Sequence, residues 1–343
     1  MNWLKVLVTG GAGYIGSVMI PLLLEGGYRV ECLDRFFFGK ETLKDVISDP
    51  NLEIVKDDIR WFDPRILKDV DVVFDLASLS NDPSGELNPS KTYDINYLGR
   101  LRVAKLSKEY GVKRYVLASS CSVYGFRENI ILDEDSPLNP LTTYAKCNVS
   151  AEKDVLALAN ENFTVTVLRQ ATVYGLSSRM RFDLAINGMV LGIFKNGKIP
   201  VMRDGTQWRP FVHVRDTSRA FITILESPKE KVNGQIFNVG SNEQNIQILP
   251  LAKMIDEALQ VPFKIEWYGS PDKRSYRVSF DKIKNIVEFK PKYTPKDGAK
   301  EVYGALKNGK VKDSIKTSTV EWYKHLLQTH DFMKEILMRD TIL

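Results

Sequence analysis

A short apolar strand, Lys5-Val6-Leu7-Val8, runs directly into Thr9-Gly10-Gly11-Ala12-Gly13-Tyr14-Ile15-Gly16 and then into the apolar run Val18 to Leu24. Glycines at this spacing, between a strand and a helix, let the chain turn tightly, let backbone N–H groups approach a pyrophosphate and let the helix pack closely on the strand. The helix N-terminus then faces the phosphates. After Gly26-Gly27, which fit a helix stop, Arg29-Val30-Glu31-Cys32-Leu33 reads as the second strand and ends at Asp34, about 20 residues onward as this fingerprint requires. A carboxylate there accepts hydrogen bonds from both ribose hydroxyls and repels a 2′-phosphate. The turn therefore reads as a site for NAD in preference to NADP, with Arg35 the neighbouring cation that bears on the choice.

Further strands follow at Leu52 to Lys56, Val72 to Leu76, Arg114 to Ser119 and Thr164 to Arg169, with helical stretches at Pro64 to Lys68, Thr92 to Tyr110 and Tyr144 to Asn162. This alternation predicts an α/β fold, a Rossmann-type doubly wound parallel sheet. From Tyr174 the pattern changes to loops, a helix from Phe182 to Phe194 and short strands punctuated by Gly197, Pro200, Gly205 and Pro210. A smaller, interleaved α/β substrate lobe begins there. Phe211 to Val214 with Asp216 to Leu225 reads as a return to the sheet lobe, Gln235 to Val239 as another strand, and Ile248 to Leu259 as a helix of the second lobe. The expected division is residues 1–174 plus about 211–240 for the NAD-binding domain, and about 175–210 plus 241–343 for the substrate lobe.

The chain's 343 residues are enough for two such lobes. Its 43% apolar and 27% charged residues and its net charge of +5 are those of an ordinary globular protein. No arginine or lysine stripe interleaves with aromatics, so nucleic acid is not an expected partner. The basic stretch Lys307 to Lys316 reads as solvated surface. Cys32, Cys121 and Cys147 lack metal-ligand spacing, and the three histidines, His213, His325 and His330, assemble no zinc constellation, so no metal is expected. No apolar run approaches the ~18 residues of a membrane span, which predicts a cytoplasmic, soluble protein without membrane partners.

In their order and spacing these segments resemble the extended short-chain dehydrogenase/reductase family, specifically its nucleotide-sugar epimerases and dehydratases, over nearly the whole chain. Thr9 to Gly16 matches the opening motif. Asp57-Asp58-Ile59-Arg60 resembles the adenine-contacting segment, Leu76-Ala77-Ser78 the strand end beside the cofactor, and Asn96 a structural asparagine. The resemblance implies a cofactor site of Gly10, Gly13, Tyr14, Ile15, Gly16, Asp34, Arg35, Asp58, Ile59, Leu76, Ala77, Ser78, Asn96, Ser119, Tyr144 and Asn148, and a homodimer built on the helices of Thr92 to Tyr110 and Tyr144 to Asn162.

Ala118-Ser119-Ser120-Cys121-Ser122-Val123-Tyr124-Gly125 resembles the family's active-site segment. Ser120 falls at the catalytic hydroxyl, which aligns the reacting sugar oxygen. Tyr144 matches the phenol that exchanges its proton as hydride moves to or from the nicotinamide. The family's lysine, four residues beyond that tyrosine, is replaced by Asn148. Lys146 cannot substitute, because residues two apart on a helix face different ways. A neighbouring cation lowers a phenol by ~1 to 3 units from about 10, so its loss costs roughly 1.4 kcal/mol per unit. Weak or lost turnover is the expectation. Three readings remain open: a substitution that traps a complex, a natural enzyme using another base, or a cofactor-binding protein that does not catalyse. Cys121 and Ser122 occupy the positions of the Asp-Glu pair of dTDP-glucose dehydratases, which disfavours dehydration; Cys121 is either an acid/base group or a packed thiol.

Arg209 and Arg274 match the family's diphosphate-binding arginines, Arg274 being followed by Tyr276 and by Asp281-Lys282. Arg179, Arg181 and Asp183 lie on the loop that closes over the nucleotide sugar, or are solvated loop charges. Ser80 and Asn81 begin the sugar pocket or serve a turn. Thr172 stands where many 4-epimerases carry Asn. The expected activity is NAD-dependent C4 epimerisation of a nucleotide diphosphate sugar. A 4-ketoreductase is the alternative, and a non-catalytic NAD-binding sensor or scaffold is the alternative of another class.

Overall fold

Apolar residues on consecutive positions of the first strands give side chains to both faces of one sheet. The structure, a computed structural model, describes residues 4–127, 130–270 and 275–337. Seven parallel strands form the sheet: β1 (Lys5–Thr9), β2 (Arg29–Asp34), β3 (Leu52–Lys56), β4 (Val72–Asp75), β5 (Arg114–Ser120), β6 (Thr164–Gln170) and β7 (Gln235–Val239). Their order is β3-β2-β1-β4-β5-β6-β7. The winding reverses between β1 and β4, which opens a crevice at the carboxyl ends of the strands.

Five helices frame the site: α1 (Gly16–Glu25), α2 (Arg100–Glu109), α3 (Thr143–Leu156), α4 (Val214–Glu226) and α5 (Thr319–Ile336). Val6, Val8, Val30, Phe74 and Val116 pack with α1 and α4 on one face, where the Phe74 and Phe221 rings meet edge-on at 5.3 Å. Leu7, Val73, Tyr115, Leu117 and Val165 pack with α2 and α3 on the other. Truncating a ring such as Phe74 to alanine costs about 3–5 kcal/mol. A separate core, with Ile186, Val190, Ile199, Phe211, Leu251, Ile255 and Val302, belongs to the second lobe.

Several elements differ from expectation. The stretch from Thr92 to Tyr110 is not one α-helix: Pro89–Tyr93 and α2 are joined by a π-helical turn, Asp94–Gly99. That wide turn aims Asn96 at Leu79, whose N–H it accepts at 2.8 Å and whose carbonyl it donates to at 3.1 Å. The helix expected from Phe182 starts only at Ala185, because Leu184 is held in extended backbone (φ −96°, ψ 144°), and it runs to Asn196. α3 stops at Leu156, short of Asn162, and Pro64–Leu67 is a 3₁₀ turn. The strand around Pro210 is not a member of the main sheet, although Val212 and α4 pack into the core of that sheet. Trp208–His213 pairs parallel with Thr172–Tyr174 and antiparallel with Asn245–Gln247 in a three-stranded sheet, and the chain rejoins the main sheet through α4 and β7. Among the described residues no helix is long and apolar enough to cross a membrane.

Candidate active site

The glycine turn is built for close approach. Gly10 has φ +67°, and a Cβ there would stand 2.9 Å from the Ala77 backbone, while one at Gly16 would stand 2.5 Å from Gly11. Side chains at these positions would push the turn off β4 and α1. Asp34, at the end of β2, accepts the Ala12 N–H at 3.0 Å and the Phe36 N–H at 2.6 Å. Burial raises its carboxyl above the usual range against these backbone donors. Arg35 turns aside: its guanidinium pairs with Asp58 at 2.9 Å and stacks on Phe37. Burial pushes the Asp58 carboxyl up, but hydrogen bonds from the Arg60 side chain and backbone outweigh it, and the group lies below the usual carboxylate range.

A cleft of about 1010 Å³ extends from this turn across the carboxyl ends of the strands. Gly10, Gly13, Tyr14, Ile15, Gly16, Asp34, Arg35, Asp58, Ile59, Leu76, Ala77, Ser78 and Ser119 line one half, and Ser80, Asn81, Ser120, Ser122, Tyr144, Thr172, Arg181, Asp183, Arg209 and Tyr276 line the other. A second cavity of about 520 Å³ continues it into the second lobe and shares Thr172, Asp183, Met202 and Arg209. Ser78 Oγ, Ser122 Oγ, Gln170 Oε1 and Arg179 Nη1 lie along the cleft without hydrogen-bond partners. The glycine cradle and these unspent groups fit a large polar ligand such as a dinucleotide.

Ser120 ends β5, beside Gln170 of β6, and its Oγ accepts the Ser122 N–H at 3.1 Å. Tyr144 stands in the first turn of α3. The start of that helix is fixed by Thr142, whose Oγ1 accepts the Ala145 N–H at 3.1 Å and donates to Asp82 at 2.6 Å, and by Glu86, which accepts the Thr143 N–H at 2.7 Å. The Tyr144 phenol is turned toward Asn148 and Ser120: burial raises it above the ordinary tyrosine value, against Asn148, Arg100 and Ser120, which lower it, while Asp82 adds to the rise. A hydroxyl and a phenol at the floor of one cleft can align a sugar oxygen and exchange its proton.

Other expected residues are placed differently. Cys121 is 1% exposed and donates to the Arg169 carbonyl at 3.3 Å, and burial pushes its thiol well up, so it is a packed thiol and not an acid/base group of the cleft. Asn96 is fully buried behind the cleft wall, holding Leu79, and does not face the cofactor side. Asn148 too is fully buried; its Oδ1 accepts from Arg100 at 3.0 Å. Ser119 spends its hydroxyl on Glu152, which Arg169 also clamps. Arg181 is bound by Asp183 at 2.8 Å and reaches Ser80 at 3.2 Å, and Asn81 also donates to Asp183, so this loop is internally paired and not solvated. Arg179 lines the same cleft, lies over Phe38 at 3.7 Å and donates to Thr319 at 2.9 Å. Arg209 lies by Tyr276, 5.6 Å from its ring centre. Arg274 lies outside the described residues.

Sequence reasoning missed Arg100, Gln170 and α5. The last carries Tyr323, Leu326, Leu327 and His330 to the cleft. Their i, i+3, i+4, i+7 spacing was the available signal. Trp322 Nε1 donates to the Phe37 carbonyl at 2.7 Å, and Tyr323 meets the Phe37 and Phe38 rings, so α5 roofs the cofactor half.

Residues 6–240 match the model of the NAD dependent epimerase/dehydratase family. A UDP-glucose 4-epimerase of Lactobacillus helveticus is 29% identical, over 84% of this chain and 93% of that protein. UDP-glucuronic acid decarboxylase 1 of Danio rerio is 28% identical, over 84% of this chain and 69% of that protein. Among solved structures, MoeE5 in complex with UDP-glucuronic acid and NAD superposes with a TM-score of 0.79 at 25% identity, covering 89% of this chain and 99% of that one.

Proposed function

The chain belongs to the NAD dependent epimerase/dehydratase family, and from that membership we propose that it is a C4 epimerase acting on a UDP-sugar. It is an enzyme of the nucleotide-sugar epimerase/dehydratase kind, and NAD is its cofactor. When bound, NAD supplies the hydride acceptor and donor. The glycine turn and α1 hold the pyrophosphate, Asp34 takes the ribose hydroxyls, and Arg209, across the cleft, holds the sugar diphosphate. Tyr144 receives the proton of the sugar hydroxyl at its phenolic oxygen and later returns it, with Ser120 aligning that oxygen. Main-sheet residues carry the cofactor, and the second lobe carries the nucleotide.

The observation that carries this reading is the meeting of Ser120 and Tyr144 in a cleft where the dehydratase acid pair is missing: Cys121 is buried and only Ser122 faces the cleft. Incubating the NAD-loaded protein with UDP-glucose, UDP-galactose and UDP-glucuronic acid, and separating the products by ion-exchange chromatography, tests it. Interconversion at C4 that is lost in Tyr144→Phe supports the reading; net reduction with consumption of NADH, or no change in any sugar, rejects it.

A further inference from the structure

Asn148 leaves the Tyr144 phenol without a charged neighbour on its own helix, yet a cation is buried one residue away. Arg100, the first residue of α2, is 1% exposed. Its Nη1 donates to Asn148 Oδ1 at 3.0 Å, its Nη2 to the carbonyls of Asp75 at 3.3 Å and of Ala118, and its Nε lies 3.7 Å from Asp75 Oδ2. Asp75 is itself fixed by hydroxyl donors, Thr9 Oγ1 at 2.5 Å and the Tyr115 phenol. The guanidinium cannot swing away. Burying such a charge is costly unless it is paired and hydrogen-bonded, and here its partners are Asp75, the Ala118 carbonyl and Asn148.

The one side-chain oxygen that hydrogen-bonds the guanidinium, among the described residues, is Asn148 Oδ1. Asn148 Nδ2 is buried without a partner. Residues four apart share a helix face, and Asn148 lowers the Tyr144 phenol, so the amide that the guanidinium holds is also turned toward the phenol. A cation bonded to the amide oxygen polarises the amide and strengthens its N–H as a donor. We propose that Arg100, acting through Asn148, supplies the fixed positive charge that eases proton release from Tyr144. Arg100 is thus a positioning residue, and the inference rests on the epimerase reading above.

The groups that face this relay come from every neighbouring element. Around the phenol are Asp82, Arg181, Ser120, Asn148 and Arg100. Around the guanidinium are Asp75, Tyr115, Cys147 and Tyr144. Arg100 and Asn148 lower the phenol, while burial and Asp82 raise it. Asp75 offsets part of the cation's charge, so removing that carboxylate acts opposite in sign to removing the arginine.

The test is an NMR titration of the NAD-loaded full chain carrying tyrosine labelled at Cζ, with the Tyr144 signal assigned by its loss in Tyr144→Phe. Arg100→Met should raise the Tyr144 pKa by about one unit or more, leaving roughly tenfold less tyrosinate at a given pH. Arg100→Met combined with Asn148→Lys should bring it back, and Asp75→Asn alone should lower it. An unmoved Tyr144 in Arg100→Met that still binds NAD, a double variant that does not recover, or a wild-type phenol that stays protonated wherever the protein is folded overturns the inference. If Arg100→Met does not fold, Asp75→Asn decides: a downward shift supports the relay, and no shift or a rise overturns it. Failure of the epimerase reading shows separately, as a titration that moves in a protein that interconverts no UDP-sugar.

Discussion

Asp34 holds the Ala12 N–H at 3.0 Å, so the carboxylate that ends β2 is tied to the glycine turn before any ribose reaches it. Asp34→Ala should weaken NAD binding by about 10- to 100-fold, the range for a hydrogen bond to a charged group, and should weaken NADP binding less. Calorimetry with both dinucleotides checks this. Equal losses for the two would show that Asp34 does not discriminate at the 2′ position.

Ser120, Cys121 and Tyr144 are close in sequence or space, but their burial separates their roles. Tyr144→Phe should lower turnover by about 10²- to 10⁴-fold, the usual worth of a positioned proton donor and acceptor, and Ser120→Ala should lower it less. Cys121→Ala should leave turnover within a few-fold of wild type. Measuring all three under one UDP-sugar assay, with NAD occupancy recorded, would show at once if the thiol carries chemistry.

Asp58 has a pH signature. Burial raises its carboxyl, but Arg60 and Arg35 outweigh burial and hold its folded-state pKa below the ordinary 3.8. An acid so shifted contributes stability above its unfolded pKa and loses that contribution as pH falls through the folded value. Acid unfolding of wild type should therefore steepen below 3.8, and Asp58→Asn should remove that part of the slope. An unchanged slope in the variant, followed by circular dichroism, would assign the acid sensitivity elsewhere.

The roof of the cofactor half rests on Trp322 and Tyr323. Replacing both by alanine removes one hydrogen bond and two ring contacts, roughly 1–3 kcal/mol together, so NAD should dissociate about 5- to 150-fold faster. Exchange of bound NAD against a fluorescent analogue measures the rate. A rate equal to wild type would mean that α5 covers the cleft without retaining the cofactor.

Tyr93 and Leu98 are 42% and 52% exposed beside α2, where pairing with a second copy is expected. Leu98→Glu should convert a dimer to a monomer in sedimentation at micromolar concentration. A wild-type chain that sediments as a monomer would instead dispose of the pairing.

The glycine turn, Asp34, Ser120 and Tyr144 were readable because each lies where a strand or helix begins or ends, and local spacing marks such points. Arg100 was not. It lies 48 residues from Asn148, and a helix arginine reads as solvent-facing unless its tertiary neighbours are known. The direction of the Cys121 side chain likewise depends on how β5 meets β6. The apolar run at Phe211 marked a strand correctly, but its choice of partner strand is set by packing across the fold, which propensity does not encode.

Phe37 and Trp322 are separated by 285 residues along the chain and joined by one hydrogen bond. During synthesis the glycine turn and the first strands therefore leave the ribosome long before the helix that covers them exists. At 5–20 residues per second the interval is roughly 15–60 seconds. Throughout it, the contacts that Trp322 and Tyr323 make with Phe37 and Phe38 cannot form, so the roof over this end of the cleft is a property of the finished chain and not of its growing N-terminal part.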